Sequence, residues 1–262
     1  KPVMVTFHCD TEKNYILKYF YSFFASKFLQ KVDVIVPTSN NLMNNTKLLK
    51  KHLHKCEVIH LWLDESRFKK KLEPSDEVLK KINNIKSYGL FVGVLRWYKG
   101  LHVLLDAAKE LEHDIVIVGK GPMYSELIKR IRDEKINNIH LMGYLKDRDV
   151  QYLISKTLFT VLPSISPAEA FGQILIESMF FKKACISTSL GTGTDFVNLH
   201  GKTGFVVEPN DPVMLKDAMN KLFHNPKLTL HYGLNGYNRY LKYFSKISQS
   251  NKYIRIYKRL IS

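Results

Sequence analysis

The sequence predicts an α/β protein of two units, each built on a parallel sheet with helices on both faces. Three observations carry that expectation. Short apolar runs alternate with longer helical patterns from residue 88 onward. Strand-to-helix turns such as "VGKGP" carry glycine, and a polar, lysine-rich stretch at 64–86 divides this regular part from a shorter one before it.

In order along the chain, "VMVTFH" reads as a strand, 15–29 as a helix and "VDVIVP" as a second strand. A helix follows Thr38 and Ser39, either of which can cap it. "CEVIHLW" reads as a further strand before the lysine-rich linker. The chain opens on a strand with no helix or cap before it, so the first unit is expected to be incomplete.

Beyond the linker, strands are expected at "YGLFVGVL", "HDIVIVGKGP", "IHLMGYL", "TLFTVLPS", "ACIST" and "TGFVVEP". Helices separate them at "KGLHVLLDAAKEL", "MYSELIKRIRDEK", "RDVQYLISK", 172–180 and "PVMLKDAMNKLF", and the last forty residues read as helical. The units are therefore 1–85, 86–240 and a basic terminal helix, 241–262, packing back toward the first.

The 262 residues are 45% hydrophobic, ordinary for a packed protein, but the formal charge of +16 favours anionic partners. Cys9, Cys56 and Cys185 sit singly in or beside apolar runs and read as reduced, mostly buried thiols of a cytosolic protein. No run is long enough to cross a bilayer. The basic, aromatic segment at the C-terminus lies on an anionic membrane, binds nucleic acid or faces solvent; solvent is the default.

Ligands of open parallel sheets collect beyond the C-terminal strand ends, and candidate residues fall there. Arg96 and Lys99 in "GVLRWYKG" precede a helix start, where an anion is favoured; alternatively they are surface residues of a turn. "VGKGP" allows close backbone approach but is not a G-x-G-x-x-G turn. In "SPAEAFGQILIESM", Glu169 follows a strand and Glu177 lies eight residues on, inside an apolar helix. A carboxylate so placed accepts hydrogen bonds from sugar or ribose hydroxyls; alternatively Glu169 caps backbone N–H groups and Glu177 pairs with a lysine. His8 ends the first strand, where a structural role is the default. No zinc-ligand spacing, nucleophile elbow or phosphate loop is present.

Taken together, "FVGVLRWYKGLHVLLDA", "IVIVGKGP", "IHLMGYL", "EAFGQILIESM" and "GKTGFVVEPNDPVML" resemble the retaining, nucleotide-sugar-dependent glycosyltransferases of family 4, with their GT-B fold. Glu169 and Glu177 match that family's E-x7-E motif, and 1–63 resembles the later half of its acceptor domain. The resemblance implies that Gly93 and Lys99 hold the donor diphosphate. Glu169, with backbone N–H groups of Ala170, Phe171 and Gly172, would hold the transferred sugar, and Glu177 the ribose. The base would pack near Met142, Gly143 and Leu145, and His8 would lie near the acceptor hydroxyl. Catalysis would be electrostatic, without a cofactor or an obligatory metal.

Two departures accompany the resemblance. The family's arginine after the first glycine is replaced by Val94; Arg96 shares its face if the strand continues, and would supply the guanidinium. The family's opening strands are also absent, which implies a fragment of a longer protein. "SLGTGTDFVNLHGKTG" resembles mannosyl- and related hexosyltransferases of bacterial surface-polysaccharide assembly, including lipopolysaccharide. This implies GDP-mannose as donor, with UDP-hexoses next, and a lipid-linked or oligosaccharide acceptor at the cytoplasmic face of the inner membrane. Peripheral contact with anionic lipid would follow, and nucleic acid would not be a partner. The rival is a nucleotide-sugar-binding protein without turnover.

Overall fold

The computed structural model describes residues 1–8, 15–68 and 72–262; Cys9 lies outside them. The first unit contains β1 (Met4–Phe7), α1 (Tyr15–Lys31), β2 (Val34–Pro37) and two short helices, α2 (Asn40–Asn45) and α3 (Lys47–Lys50). β1 and β2 pair in parallel, with Met4 opposite Val34 and Phe7 opposite Pro37. Because side chains alternate along a strand, β2 feeds two small cores. Ile35 joins Phe7, Leu29, Val32 and Leu49 on one face. Val34 and Val36 meet Ile59 and Ile256 on the other. Ser39 is the cap of α2, its Oγ accepting from Leu42 N at 3.0 Å.

"CEVIHLW" forms no strand of its own, contrary to expectation. Its first half borders β2, with Glu57 N donating to Ile35 O at 2.9 Å and Ile59 N to Pro37 O at 3.2 Å. It then departs, and Leu63 N donates to Phe244 O at 2.9 Å. The apolar run is explained by these two destinations rather than by a continuous ladder. The lysine-rich stretch also holds structure: a 3₁₀ turn at Glu65–Arg67 and α4 (Asp76–Ile82), whose Val78 is fully buried.

The second unit follows as β3 (Tyr88–Val92), α5 (Leu101–Ala108), β4 (Asp114–Val118), α6 (Tyr124–Asp133), β5 (Ile139–Gly143) and α7 (Asp147–Lys156). It continues through β6 (Phe159–Leu162), α8 (Gln173–Phe180), β7 (Ala184–Thr188), α9 (Gly193–Val197) and β8 (Gly204–Val207). Its six strands run parallel in the order β5-β4-β3-β6-β7-β8. Strands buried on both faces, such as β6 and β7, read as unbroken apolar or small-residue runs, which is why they were legible. Helix α7 moors the linker: Asp149 Oδ1 accepts from Ser75 N at 2.6 Å, and Gln151 Nε2 donates to Arg67 O at 3.1 Å.

Helices α10 (Pro212–His224), α11 (Pro226–Tyr243) and α12 (Lys246–Ile261) complete the chain. Asp211 and Asn225 cap α10 and α11 ahead of a proline in each first turn, and Ser245 caps α12. One face of α12 is not on solvent. Its Ile256 is 2% exposed in the core behind β2, a burial that stabilises by about 2 kcal/mol. Cys56 is half-buried and Cys185 fully buried; both are free, and burial raises both thiol pKa values. Among the described residues no helix is long and apolar enough to cross a membrane.

Candidate active site

The strand order places a topological switch between β3 and β6. The chain leaves β3 toward β4 on one side, and leaves β6 toward β7 on the other. The two departing loops therefore splay apart at the C-terminal strand ends, where a crevice forms. Lys99 lies on the first loop and Glu169 on the second.

These two side chains form an ion pair across that crevice, with side-chain exposures of 13% and 10%. The same Oε2 of Glu169 accepts from Ser164 Oγ at 3.1 Å. The loops are tied directly as well, Ile165 N donating to Tyr98 O at 2.8 Å. Among the described residues the Glu169 carboxylate thus caps no backbone N–H group. That carboxylate is held by a lysine and a hydroxyl at the C-terminal strand ends.

Helix α8 starts immediately behind. Gly172 precedes it with φ 73°, and the N–H groups of Ala170, Phe171 and Gly172 donate to no acceptor among the described residues. Consecutive free N–H groups at a helix start attract anionic or hydroxyl oxygens. Lys99, Glu169 and these N–H groups therefore lie on the two loops that flank one crevice.

Glu177, one turn into α8, is partly buried, and its carboxylate makes no hydrogen bond or close ion pair among the described residues, so it does not pair with a lysine there. Burial pushes its carboxyl up to about 7, against an opposing pull from Arg67 and a small push from Asp147. The ordinary value is 4.5. Between those values the folded state binds more protons than the unfolded, so the Glu177 contribution to stability is lost as pH rises from 4.5 to 7. Urea titration of the protein and its Glu177→Gln variant across that range is expected to show a loss that the variant lacks; parallel curves would count against a raised carboxyl.

The remaining expected residues are distributed as follows. β3 ends at Val92, and Gly93 turns onto the next loop with its N–H on Val118 O at 3.0 Å. The strand does not continue through 97, because Arg96 N donates to Val94 O in a tight turn. Val94 and Arg96 are nonetheless both exposed, on either side of the fully buried Leu95. Met142 and Leu145 point into the core and Gly143, with φ 71°, is buried as well, which leaves Tyr144, 71% exposed, as the open part of "MGYL". No group of three or more metal-ligating side chains occurs among the described residues.

The first unit faces the same crevice. β1 and β2 run parallel, so His8, exposed just past β1, lies at the same sheet end as Thr38 and α2. α2 touches the loop between β7 and α9: Asn41 Nδ2 donates to Thr192 O and Asn45 Nδ2 to Gly191 O, both at 2.9 Å. His60 wedges between the units, stacked on Phe196 at 4.1 Å with its Nδ1 against Thr38 O at 2.9 Å. Burial lowers its pKa, opposed by the Thr38 bond and reinforced by Lys252 and Arg239. Sequence reasoning missed Asn41, Asn45, Ser164, Thr192 and His60 as site neighbours; only the turn-forming run "SLGTGTD" hinted at one of them.

Residues 75–239 match the family described as glycosyl transferases group 1. D-rhamnosyltransferase WbpZ of Pseudomonas aeruginosa is 36% identical over 245 residues, which are 94% of this chain and 64% of that protein. O-antigen chain mannosyltransferase C of Escherichia coli is 34% identical over 258 residues, 98% of this chain and 69% of that protein. The chain thus spans about two thirds of the length of either relative. The crystal structure of Anabaena Alr3699/HepE in complex with UDP superimposes with a TM-score of 0.84 at 16% identity, covering 99% of this chain and 73% of that one. That likeness is one of fold, the GT-B arrangement of two α/β units.

Proposed function

Because the chain belongs to the group 1 glycosyl transferases, we propose that it moves a hexose, with retention, from a nucleotide sugar to a saccharide acceptor during assembly of a surface polysaccharide. The observation that carries this reading is the Lys99–Glu169 pair at the switch-point crevice, backed by N–H groups at the start of α8 that have no acceptor among the described residues. A diphosphate seated there meets a buried ammonium, and the attached sugar meets a carboxylate.

The chemistry follows from that placement. The bond between the anomeric carbon and the phosphate oxygen breaks as the sugar gains oxocarbenium character. Lys99 and the helix start stabilise charge growing on the departing diphosphate, without need of a metal. The acceptor oxygen joins the anomeric carbon on the face the phosphate leaves, and its proton passes to the phosphate. Glu169 orients the sugar through its hydroxyls, Glu177 holds the ribose, and the base lies at the "MGYL" turn, against Tyr144. His8 and Arg96 complete the site from the acceptor side and the donor side. GDP-mannose is the donor we place first, because the likeness to an O-antigen chain mannosyltransferase extends over 98% of the chain. The excess of positive charge suits a lipid-linked, anionic acceptor.

Incubation of the intact protein with GDP-mannose and a saccharide acceptor is expected to yield an α-linked product by NMR. UDP-glucose as the better donor would replace GDP-mannose in this reading. Donor binding with neither transfer nor hydrolysis would replace the transferase by a binding protein.

A further inference from the structure

We propose that Asn41 and Asn45 of the first unit are positioning residues for the sugar-holding amides of the second, acting through the loop 190–195. The proposal rests on the functional reading above and adds to it a mechanical link between the units.

The link is a series of hydrogen bonds. Asn41 and Asn45, one turn apart on α2, hold the carbonyls of Thr192 and Gly191. Thr192 Oγ1 then donates to Glu169 O at 2.8 Å, and Gly193 N donates to Ala170 O at 2.8 Å. The loop between these contacts is braced by Asp195, whose carboxylate accepts from Leu190 N at 3.2 Å and Gly191 N at 2.7 Å. It is built as a strut.

What the strut grips is specific. A peptide unit is planar, so fixing the carbonyl of Glu169 fixes the N–H of Ala170, and fixing the carbonyl of Ala170 fixes the N–H of Phe171. Each N–H points away from the gripped oxygen, and neither donates to an acceptor among the described residues. These are the groups assigned to the donor sugar. A second contact from the first unit lands on the same loop, the His60 ring stacking toward that of Phe171 with centroids 6.3 Å apart and planes inclined by 29°. The aim of the amides is thus set in part from across the cleft.

The test compares ligands with and without the sugar. Calorimetry would use GDP and GDP-mannose, and UDP and UDP-glucose, on the intact protein and on Asn41→Asp and Thr192→Val. Both substitutions keep shape and remove the donor; Asn41→Asp also turns a negative charge toward the Thr192 carbonyl, and Thr192→Val also removes the Oγ1 that accepts from Thr194 N at 3.4 Å. Nucleotide-sugar affinity is expected to fall about five- to tenfold, the worth of about one hydrogen bond, while nucleoside diphosphate affinity stays within about twofold. The two changes act in series, so the double variant is expected to lose little more than Thr192→Val alone. Partial misfolding would lower the stoichiometry for both ligands and leave their affinity ratio unchanged. An unchanged ratio in both variants would overturn the proposal alone. No nucleotide binding by the unsubstituted protein would overturn the functional reading, and the proposal with it.

Discussion

Replacement of Lys99 by methionine is expected to cost transfer about a hundred- to a thousandfold, the effect of removing one aimed electrostatic group from a dry site. It is also expected to destabilise the fold by about 3 kcal/mol, because Glu169 would remain buried with, among the described residues, the Ser164 hydroxyl alone bonded to it. The two effects can be separated. In the double variant Lys99→Met/Glu169→Leu neither charge is left unpaired, so stability should return to within about 1 kcal/mol of the parent. Transfer should stay lost. Chemical denaturation and initial rates on the same preparations make the comparison. Recovery of both, or of neither, would contradict the assignment of the pair to the site.

The second large effect concerns Gly100. It precedes α5 with φ 67°, and a Cβ there would fall inside the carbonyl of Pro163 on the neighbouring loop. Gly100→Ala therefore forces apart the two loops that carry Lys99 and Glu169. A loss on the order of 3 kcal/mol or more is expected, with reduced nucleotide affinity in what remains folded. Gly201 provides the control. Its φ is 70°, but nothing lies within 4 Å of an added Cβ, so Gly201→Ala should cost only the conformational strain of about 1 to 2 kcal/mol. Equal losses from the two substitutions would mean that backbone strain, not the close approach of the loops, governs Gly100.

Much of this architecture was legible because burial leaves a trace in composition. The central strands of the second unit are apolar or small on both faces, and each is followed by a helix, so their parallel arrangement could be read directly. "CEVIHLW" misled for the same reason. Its Ile59 is buried between β2 and Ile256 of α12, and a buried residue does not say whether strand or helix covers it. Arg96 stood between two readings, a surface residue of a turn and a continuation of the strand on the face of Val94; the backbone turn between Val94 and Arg96 settles this for the turn.

The site was legible as residue types and illegible as contacts. Lys99 and Glu169 are separated by 70 positions, and Asn41 and Thr192 by 151. Their meeting depends on strand order, on the switch between β3 and β6, and on the way α2 is carried up to the second unit. None of these is encoded in local periodicity. The environment of Glu177 is illegible for a related reason: its carboxyl is raised by burial, against a pull from Arg67 of the linker turn and with a further push from Asp147 of α7.

The most direct test of the central claim is calorimetric titration of GDP, UDP, GDP-mannose and UDP-glucose into the intact protein and its Lys99→Met variant. The account predicts that one nucleotide pair binds and that the variant loses at least about tenfold in affinity for it, as removal of a desolvated charge contact requires. Equal binding by both proteins would place the nucleotide elsewhere and detach the Lys99–Glu169 crevice from the chemistry assigned to it.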